Sequence, residues 1–187
     1  MIFKESKLKG AFEIELEPHK DERGFFARVY DEKIFLSQEL PVNWVQENIS
    51  MSFKKNTLRG LHFQYPPNNE AKLVSVLRGE AFFVFVDLRK NSETLGKWDS
   101  FNLGEENKKM IFVPRGFALG MFSLTENCLL HYKMDNFYAS ESAETIKWND
   151  LDLNIKWPVQ DLSVISEKDK NGKSFKEFLY KTHGIEL

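Results

Sequence analysis

The sequence predicts an all-β protein whose strands form either a sandwich or a closed barrel. Apolar runs of six to eight residues recur through the middle of the chain. Polar turn residues separate these runs, and no helical period passes through the region. Many short strands broken by polar turns are typical of both architectures. The predicted strands cover residues 71–77, 81–88, 97–103, 109–114, 117–124 and 128–134.

Turn signals support each boundary between these strands. Gly, Pro, Asn and Ser favour turns because of their backbone freedom or their short hydrogen-bonding side chains. Such residues occur after every predicted strand of the region, so the strands are expected to be short. The turn segments are Arg78–Glu80, Asn91–Glu93, Gly104–Asn107, Pro114–Gly116 and Thr125–Asn127.

Helices are predicted only at the margins of the chain. Residues 31–39 are expected to form a short helix with Asp31 near its N-cap. Residues 173–181 are expected to form another. The stretch 147–158 is rich in Trp, Asn and Asp and is predicted to be an ordered loop.

The length of 187 residues fits one domain, which we expect to span residues 1–187. The barrel core is expected at about residues 45–140, followed by a C-terminal loop and short helix segment over residues 141–187. Seventeen Phe residues are enough to fill a large β core, and they are compatible with a dimer interface.

Composition excludes several classes of partner. The net charge of −2, with interspersed charges, gives no basic surface for nucleic acid. No apolar run approaches the roughly 20 residues of a membrane span, and the N-terminus lacks an apolar signal core. The single Cys128 cannot form an internal disulfide and is expected in the core. We therefore expect a soluble cytoplasmic protein without nucleic acid or membrane partners.

The strand around Leu58–Gln64 carries the strongest chemical signal. His62 and Gln64 share one parity and should face the same side, whereas Arg59 has the opposite parity. Lys72 follows on the next predicted strand. A His inside a β-rich domain, near a Lys and an Arg, suggests proton transfer on an anionic substrate.

Metal chemistry and hydrolysis have no support in the sequence. The usual metal site of such β-barrels needs two His residues separated by one, with a Glu and a later His. The four His residues include no His-x-His pair, and Gln64 stands two residues after His62. No nucleophile elbow is present for Ser-His-Asp hydrolysis. We expect no metal and no cofactor.

A series of different short motifs extends along nearly the whole chain. They are Asp21–Phe26, Leu58–Gln64, Ala71–Val74, Arg78–Glu80, Val86–Lys90, Val113–Ala118, Trp148–Asp150, Ile155–Pro158 and Ile165–Asp169. By these motifs the chain resembles the dTDP-4-dehydrorhamnose 3,5-epimerase family, a cupin-type group that acts on nucleotide-linked 4-keto-6-deoxy sugars. The resemblance implies a cupin-like jelly-roll β-barrel or sandwich with short peripheral helices. It also implies a homodimer and a dTDP-linked sugar as substrate.

The family chemistry explains the residue types. A proton beside a keto group is acidic because its removal gives an enolate. Inversion needs a base on one face of the sugar and an acid on the other. It also needs a donor or positive charge near the developing oxyanion.

The resemblance assigns four catalytic roles. It makes His62 the base and Asp169 the carboxylate that fixes the imidazole tautomer and stabilises the imidazolium. Tyr132 corresponds to the acid, and Lys72 to the group near the keto oxygen. Strand parity agrees with an inward Tyr132, because it places Cys128, Leu130 and Met134 inward and His131 and Lys133 outward.

The resemblance also assigns substrate contacts. Arg23 and Arg59 correspond to diphosphate ligands, which suits the fork geometry of guanidinium. Tyr138 corresponds to a ring that stacks on the nucleotide base. Further substrate contacts are expected from Gln46, Asn48, Gln64, Leu119 and Lys168.

Three positions depart from the family pattern. Leu119 replaces a substrate-binding His, Arg28 stands where Glu is usual, and Ala143 replaces an acidic residue, although Glu144 is adjacent. Losing one buried polar contact costs about 1–3 kcal/mol, enough to alter preference but not to abolish the reaction. Arg28 adds positive charge, so these changes could compensate one another. They are equally compatible with tolerated drift and with a non-standard substrate.

Alternatives therefore remain open from the sequence. The enzyme could epimerise only C3 or C5, or act on a CDP- or GDP-linked 4-keto sugar. A 3,4-ketoisomerase is a further variant. The non-enzymatic alternative is a sugar-nucleotide-binding paralogue without turnover, which only Leu119 supports.

Overall fold

The computed structural model describes residues 1–158 and 161–187, and its strands confirm the all-β prediction. All six predicted central strands are present, with ends within two residues of the expected ones. The strands are β1 (Ile2–Glu5), β2 (Phe12–Glu15), β3 (His19–Asp21), β4 (Gly24–Phe26), β5 (Gln46–Ser52), β6 (Thr57–Gln64), β7 (Lys72–Arg78), β8 (Glu80–Asp87), β9 (Trp98–Gly104), β10 (Lys109–Val113), β11 (Phe117–Ser123), β12 (Cys128–Met134), β13 (Ala143–Thr145) and β14 (Val164–Ile165). The helices are α1 (Glu32–Ser37), α2 (Glu167–Lys170) and α3 (Phe175–Thr182).

Two open sheets face each other, so the arrangement is a sandwich and not a closed barrel. The first sheet has the order β1-β2-β10-β7-β12-β5. The second has the order β13-β6-β11-β8-β9, with β14 added in parallel beside β6. The short hairpin β3-β4 lies outside both sheets. None of the helices in the described ranges combines the length and apolar character of a membrane-spanning helix.

The main core lies between the sheets, and β8 shows why its sequence is almost continuously apolar. Ala81, Phe83 and Phe85 pack into the core between the sheets. Val84 and Val86 point to the other side and pack under the C-terminal segment. A strand buried on both faces has no polar alternation, which accounts for the unbroken run.

Each sheet also has an outer apolar layer. Phe35 of α1 packs with Met110 and Phe112 on the outside of the first sheet. Phe178 of α3 packs with Phe63 on the outside of the second. Both helices therefore form because an amphipathic segment finds an apolar sheet face to cover.

The helix predictions are confirmed, including the cap of α1. The Asp31 side chain accepts a hydrogen bond from the Lys33 N–H at 3.1 Å. A capping box of Ser174 and Glu177 opens α3. Residues 147–158 contain no helix or strand, as expected. Helix α2 was not predicted.

The sheets extend beyond the expected core of residues 45–140. β2 pairs with β10, and β1 extends the same sheet. β13 and β14 join β6 from the C-terminal side. These strands have two to four residues each, too short for alternation to be recognised in the sequence.

Candidate active site

A cavity of about 610 Å³ opens within the sandwich and has walls from both sheets. That volume lies in the usual range for small-molecule sites. His62 and Leu119 line it from the second sheet, and Lys72 and Tyr132 line it from the first. The two sets of side chains therefore stand on opposite walls of one cavity.

His62 is paired with Asp169, which comes from a remote part of the chain. The Nε2 atom of His62 lies 2.6 Å from Oδ1 of Asp169, and the Asp169 side chain is only 4% exposed. The Ser166 hydroxyl caps α2 by accepting a hydrogen bond from the Asp169 N–H at 3.1 Å. Helix α2 thus delivers the carboxylate to the imidazole.

Asp169 remains ionised in this setting. Burial raises its pKa, but the hydrogen bond and charge of His62 lower it, as do the Gly60 N–H and the Ser166 hydroxyl, and the net pKa is below the ordinary value. An ionised carboxylate can only accept hydrogen bonds, so Nε2 of His62 must donate. The other ring nitrogen, Nδ1, then carries the lone pair that a base needs.

A bulge in β6 brings Arg59 into the same cavity, which corrects the parity prediction for that residue. Leu119 pairs with His62, but Met121 pairs with Arg59, so β6 contains one extra residue there. The bulge requires Gly60, whose φ is +108° and where a Cβ would lie 2.6 Å from the Leu119 carbonyl oxygen.

The Arg59 guanidinium is held in place by β5. Its Nε donates to the Ser52 hydroxyl at 3.2 Å, and its Nη2 donates to the Met51 carbonyl at 3.0 Å. These bonds leave the positive charge beside the cavity, where an anionic group of a ligand would meet it.

Tyr132 projects from a regular part of β12, and its predicted direction is confirmed. It pairs with Asn48 on one side and Val74 on the other. His131 lies on the opposite face, where its Nε2 is 3.2 Å from Oε2 of Glu47. His131 is therefore not part of the site.

Tyr132 keeps its proton over a wider pH range than an exposed tyrosine. Burial raises the pKa of its hydroxyl, the positive charge of Arg59 lowers it, and the negative charge of Glu70 raises it further, with a net increase. A neutral phenol can give a proton, so this environment suits the acid role.

Lys72 has a buried partner that the sequence analysis missed. Its Nζ lies 2.7 Å from Oε1 of Glu70, whose side chain is 4% exposed. The other carboxylate oxygen accepts a hydrogen bond from Nε2 of Gln64 at 2.8 Å. The signal was available, because a buried Lys requires a counter-charge and Glu70 is two residues away on the same parity.

Gln64 supports the cavity wall. Its Nε2 also donates to the Asn68 carbonyl at 2.6 Å, and its Oε1 accepts from the Ala139 N–H at 2.6 Å. The amide is thus occupied by protein groups on both sides. A direct contact of Gln64 with substrate stays a prediction.

Four other predicted contact residues line the cavity: Gln46, Asn48, Tyr138 and Lys168. Oε1 of Gln46 accepts a hydrogen bond from the Tyr138 N–H at 3.0 Å, which fixes the backbone beneath the exposed Tyr138 ring. Lys168 lies beside Asp169 on α2. Their contacts with substrate stay predictions.

Two of the three departures from the family pattern lie at the cavity. Leu119 is directly opposite His62 in the ladder, and Ala143 is opposite Gln64. Glu144 also lines the cavity, but its carboxylate is bound to Lys173, so it does not take the place of the missing acid at position 143.

Arg23 and Arg28 lie away from the cavity lining in this chain. Arg23, at the turn of the β3-β4 hairpin, places its Nε 3.2 Å from Oδ1 of Asp21. Nη1 of Arg28 is 2.9 Å from Oδ2 of Asp31. Arg28 is not among the residues that line the cavity beside Leu119, and its guanidinium is paired with Asp31. In the described ranges, no three metal-ligand side chains come together.

A His–Asp pair that faces a neutral tyrosine and a lysine across one cavity is suited to moving protons on and off a carbon beside a carbonyl group. The fold and the site therefore define an epimerase-type isomerase.

Comparisons with known proteins give the family. The family model for dTDP-4-dehydrorhamnose 3,5-epimerase matches residues 5–177. The dTDP-4-dehydrorhamnose 3,5-epimerase of Methanothermobacter thermautotrophicus is 45% identical over 177 residues, 94% of this chain and 95% of that protein. The crystal structure of the Elizabethkingia anophelis dTDP-4-dehydrorhamnose 3,5-epimerase matches with a TM-score of 0.90 at 44% identity, over 95% of this chain and 97% of that one. This chain belongs to the dTDP-4-dehydrorhamnose 3,5-epimerase family.

Some of the similar structures contain bound ligands, and one example has a nucleotide sugar. It is the dTDP-6-deoxy-D-glucose-3,5-epimerase of Legionella pneumophila, in complex with dTDP-4-keto-L-rhamnose. Its TM-score is 0.88 at 36% identity, over 92% of each chain. The family resemblance, the isomerase class and the cupin-like fold expected from the sequence are thus confirmed.

Proposed function

We propose that this protein converts dTDP-4-dehydro-6-deoxy-glucose to dTDP-4-dehydrorhamnose by epimerisation at C3 and C5. One observation carries the proposal: His62, supported by Asp169, and Tyr132 line opposite walls of the same cavity. Inversion at a carbon needs a base and an acid on opposite faces of the sugar. The names of the relatives support the choice of substrate.

Each inversion proceeds in two proton transfers. His62 takes the proton from the carbon beside the keto group, and the electron pair of that C–H bond moves to the keto oxygen to give an enolate. The Lys72 ammonium stabilises the oxygen charge. Tyr132 then gives a proton to the other face of the same carbon, and both residues return to their starting states by exchange with solvent. No cofactor takes part.

The rest of the cavity suits a nucleotide sugar. Arg59 and Lys168 supply positive charge for the diphosphate. Tyr138 presents an exposed ring at the cavity for the nucleotide base. We infer one domain over residues 1–187, because the segment after residue 140 supplies Asp169 and the outer layer of the second sheet. A cytoplasmic location agrees with the free thiol of buried Cys128.

A homodimer would complete the site. The β3-β4 hairpin exposes Phe25 and Phe26, and β5 ends the first sheet as an open edge with Ile49 exposed. Arg23 on that hairpin lies away from its own cavity, so a second copy is the natural source of this diphosphate contact.

Light scattering should give twice the monomer mass. Mixed Arg23→Ala and His62→Ala subunits should regain activity that neither variant has alone, and a monomer would contradict the inference.

Proton NMR in deuterated water with dTDP-4-keto-6-deoxy-glucose tests the proposed reaction. Deuterium should appear at both C3 and C5, with the inverted sugar as product. Deuterium at one carbon only would instead establish a single-site epimerase. Binding without exchange would contradict the proposal and favour the non-catalytic paralogue.

A further inference from the structure

We propose that Glu70 is a positioning residue for this reaction, which holds the Lys72 ammonium in a fixed place at the cavity wall. The inference rests on the proposed function, in which Lys72 meets the keto oxygen and Tyr132 is the acid. The sequence analysis did not single out Glu70, and the contacts around it now indicate its role.

The contacts place the Glu70 carboxylate between two fixed groups. Oε1 is 2.7 Å from Nζ of Lys72, and Oε2 is 2.8 Å from Nε2 of Gln64. The Glu70 side chain is 4% exposed and that of Lys72 is 14% exposed. Both charges are therefore largely removed from water, where a pair with good geometry is most strongly coupled.

The segment that carries Glu70 is held from both sides. Gln64 binds the carbonyl oxygens of Asn68 at 2.6 Å and Phe137 at 3.1 Å. On the other side, Oδ1 of Asp135 accepts a hydrogen bond from the Ala71 N–H at 2.7 Å. These bonds fix the backbone next to Glu70, so the carboxylate is held in a defined place.

Lys72 needs such a partner to act on an oxyanion. The long Lys side chain is flexible, and a buried carboxylate 2.7 Å from Nζ fixes its end at the cavity. Glu70 takes only one of the N–H donors. The remaining donors of the ammonium are free for a keto oxygen in the cavity.

Glu70 also acts on Tyr132 through space. Burial raises the pKa of Tyr132, Arg59 lowers it, and Glu70 raises it. Without Glu70, the Arg59 charge would be opposed by burial alone. Besides Tyr132, the charged and titratable groups that line this cavity from the surrounding elements are Arg59, His62, Glu70, Lys72, Tyr138, Glu144, Lys168 and Asp169.

Glu70→Gln tests the proposal, with Glu13→Gln as the matched control. Glu13 is also a largely buried carboxylate paired with a lysine, at 3.0 Å from Lys109, and its side chain is 12% exposed. It lies on β2, away from the cavity. Both variants should bind dTDP as the parent protein does, because neither residue contacts the nucleotide in the proposed mode.

The first readout does not depend on activity. Carbon NMR of ring-labelled tyrosine, with Tyr132→Phe to assign the signal, follows the titration of Tyr132. Its midpoint should move to lower pH in Glu70→Gln and stay unchanged in Glu13→Gln. An unchanged midpoint in Glu70→Gln would show that the Glu70 carboxylate does not stand at this wall as a charge, and it would overturn the proposal even if the substrate assignment itself were wrong.

The second readout is kinetic. Glu70→Gln should lower kcat roughly 10- to 100-fold, because a catalytic group is then misplaced. KM should change little. The alkaline limb of the plot of kcat against pH should move to lower pH. Glu70→Asp keeps the charge but shortens the reach, so kcat should fall while the Tyr132 midpoint stays near that of the parent. An unchanged kcat in Glu70→Gln would overturn the proposal. Loss of folding in both Glu70→Gln and Glu70→Asp would also overturn it, because Glu70 would then serve the fold and not the reaction.

Discussion

The two walls of the cavity are built in different ways. The wall with His62 contains a bulge, and its supporting carboxylate, Asp169, is 107 residues away in sequence. In the wall with Tyr132 and Lys72, the pairing is regular from Leu130 to Met134, and the partner of Lys72 is only two residues away. The orientation of the base therefore depends on a carboxylate from the C-terminal segment, whereas Lys72 is held by a carboxylate from its own stretch of chain.

The largest effect is expected on the bulged wall, from His62→Ala. Removing the base should lower deuterium exchange at both C3 and C5 by about 1,000-fold or more, within the upper range for general acid–base catalysis. Proton NMR in deuterated water measures both exchange rates. His131→Ala is the control and should leave them near the parent values, because His131 faces the other side of β12. Persistent exchange at either carbon in His62→Ala would show a second base.

Asp169→Asn should lower kcat by about 100- to 1,000-fold, because the amide no longer holds the imidazole in the tautomer a base needs. Steady-state kinetics measures this loss. A KM effect without a kcat effect would mean that Asp169 serves binding only.

The same variant should change acid stability. The folded-state pKa of Asp169 is below its ordinary value of 3.8. Its ionised form thus stabilises the fold above about pH 4, and this contribution is lost as pH falls through the folded pKa. Urea unfolding should show that the free energy of unfolding falls more for the parent protein than for Asp169→Asn when the pH is lowered from 7 into the acid range. Parallel curves of the free energy of unfolding against pH would contradict this expectation.

Gly60→Ala should destabilise the bulge by about 2–4 kcal/mol, because it combines positive-φ strain with overpacking. The new Cβ would lie 2.6 Å from the Leu119 carbonyl oxygen. Gly24→Ala is the matched control, since Gly24 has a φ of +131° but no atom within 4 Å of its Cβ position. Denaturant unfolding should show the smaller loss for Gly24→Ala. Equal losses would mean that backbone strain alone requires Gly60.

Leu119→His is expected to have the smallest effect. One restored polar contact contributes about 1 kcal/mol net, so KM for the dTDP-linked sugar should fall by less than about tenfold. A substrate panel with dTDP-, CDP- and GDP-linked sugars measures the preference. An unchanged KM would make Leu119 a tolerated replacement.

The same contrast explains what the sequence could predict. Apolar runs predicted the central strands because β7, β8 and β10 to β12 are buried on the core face throughout, and simple alternation placed Tyr132 correctly. Alternation failed for Arg59, since one extra residue at a bulge reverses the facing of all residues beyond it. The Glu70 pairing was within reach, because a buried lysine needs a counter-charge.

Other parts of the site were beyond residue-level inference. Asp169 lies in a four-residue helix that forms only where it docks beside β6, so family motifs predicted its role and local propensity did not. The sequence did not predict that Arg23 lies on an exposed hairpin away from the cavity of its own chain. The motif around Arg23 does not show whether the residue contacts its own cavity or that of a second copy.

The central claim is that base and acid act from opposite walls, and Tyr132→Phe tests it most directly. Proton NMR in deuterated water would measure deuterium exchange and formation of the inverted sugar in the same sample. Exchange requires only His62 and solvent, whereas inversion also requires a proton from the Tyr132 wall. The account predicts that inversion falls at least about tenfold more than exchange, the loss of one catalytic proton donor. Equal loss of both would contradict the assignment of Tyr132 as the acid.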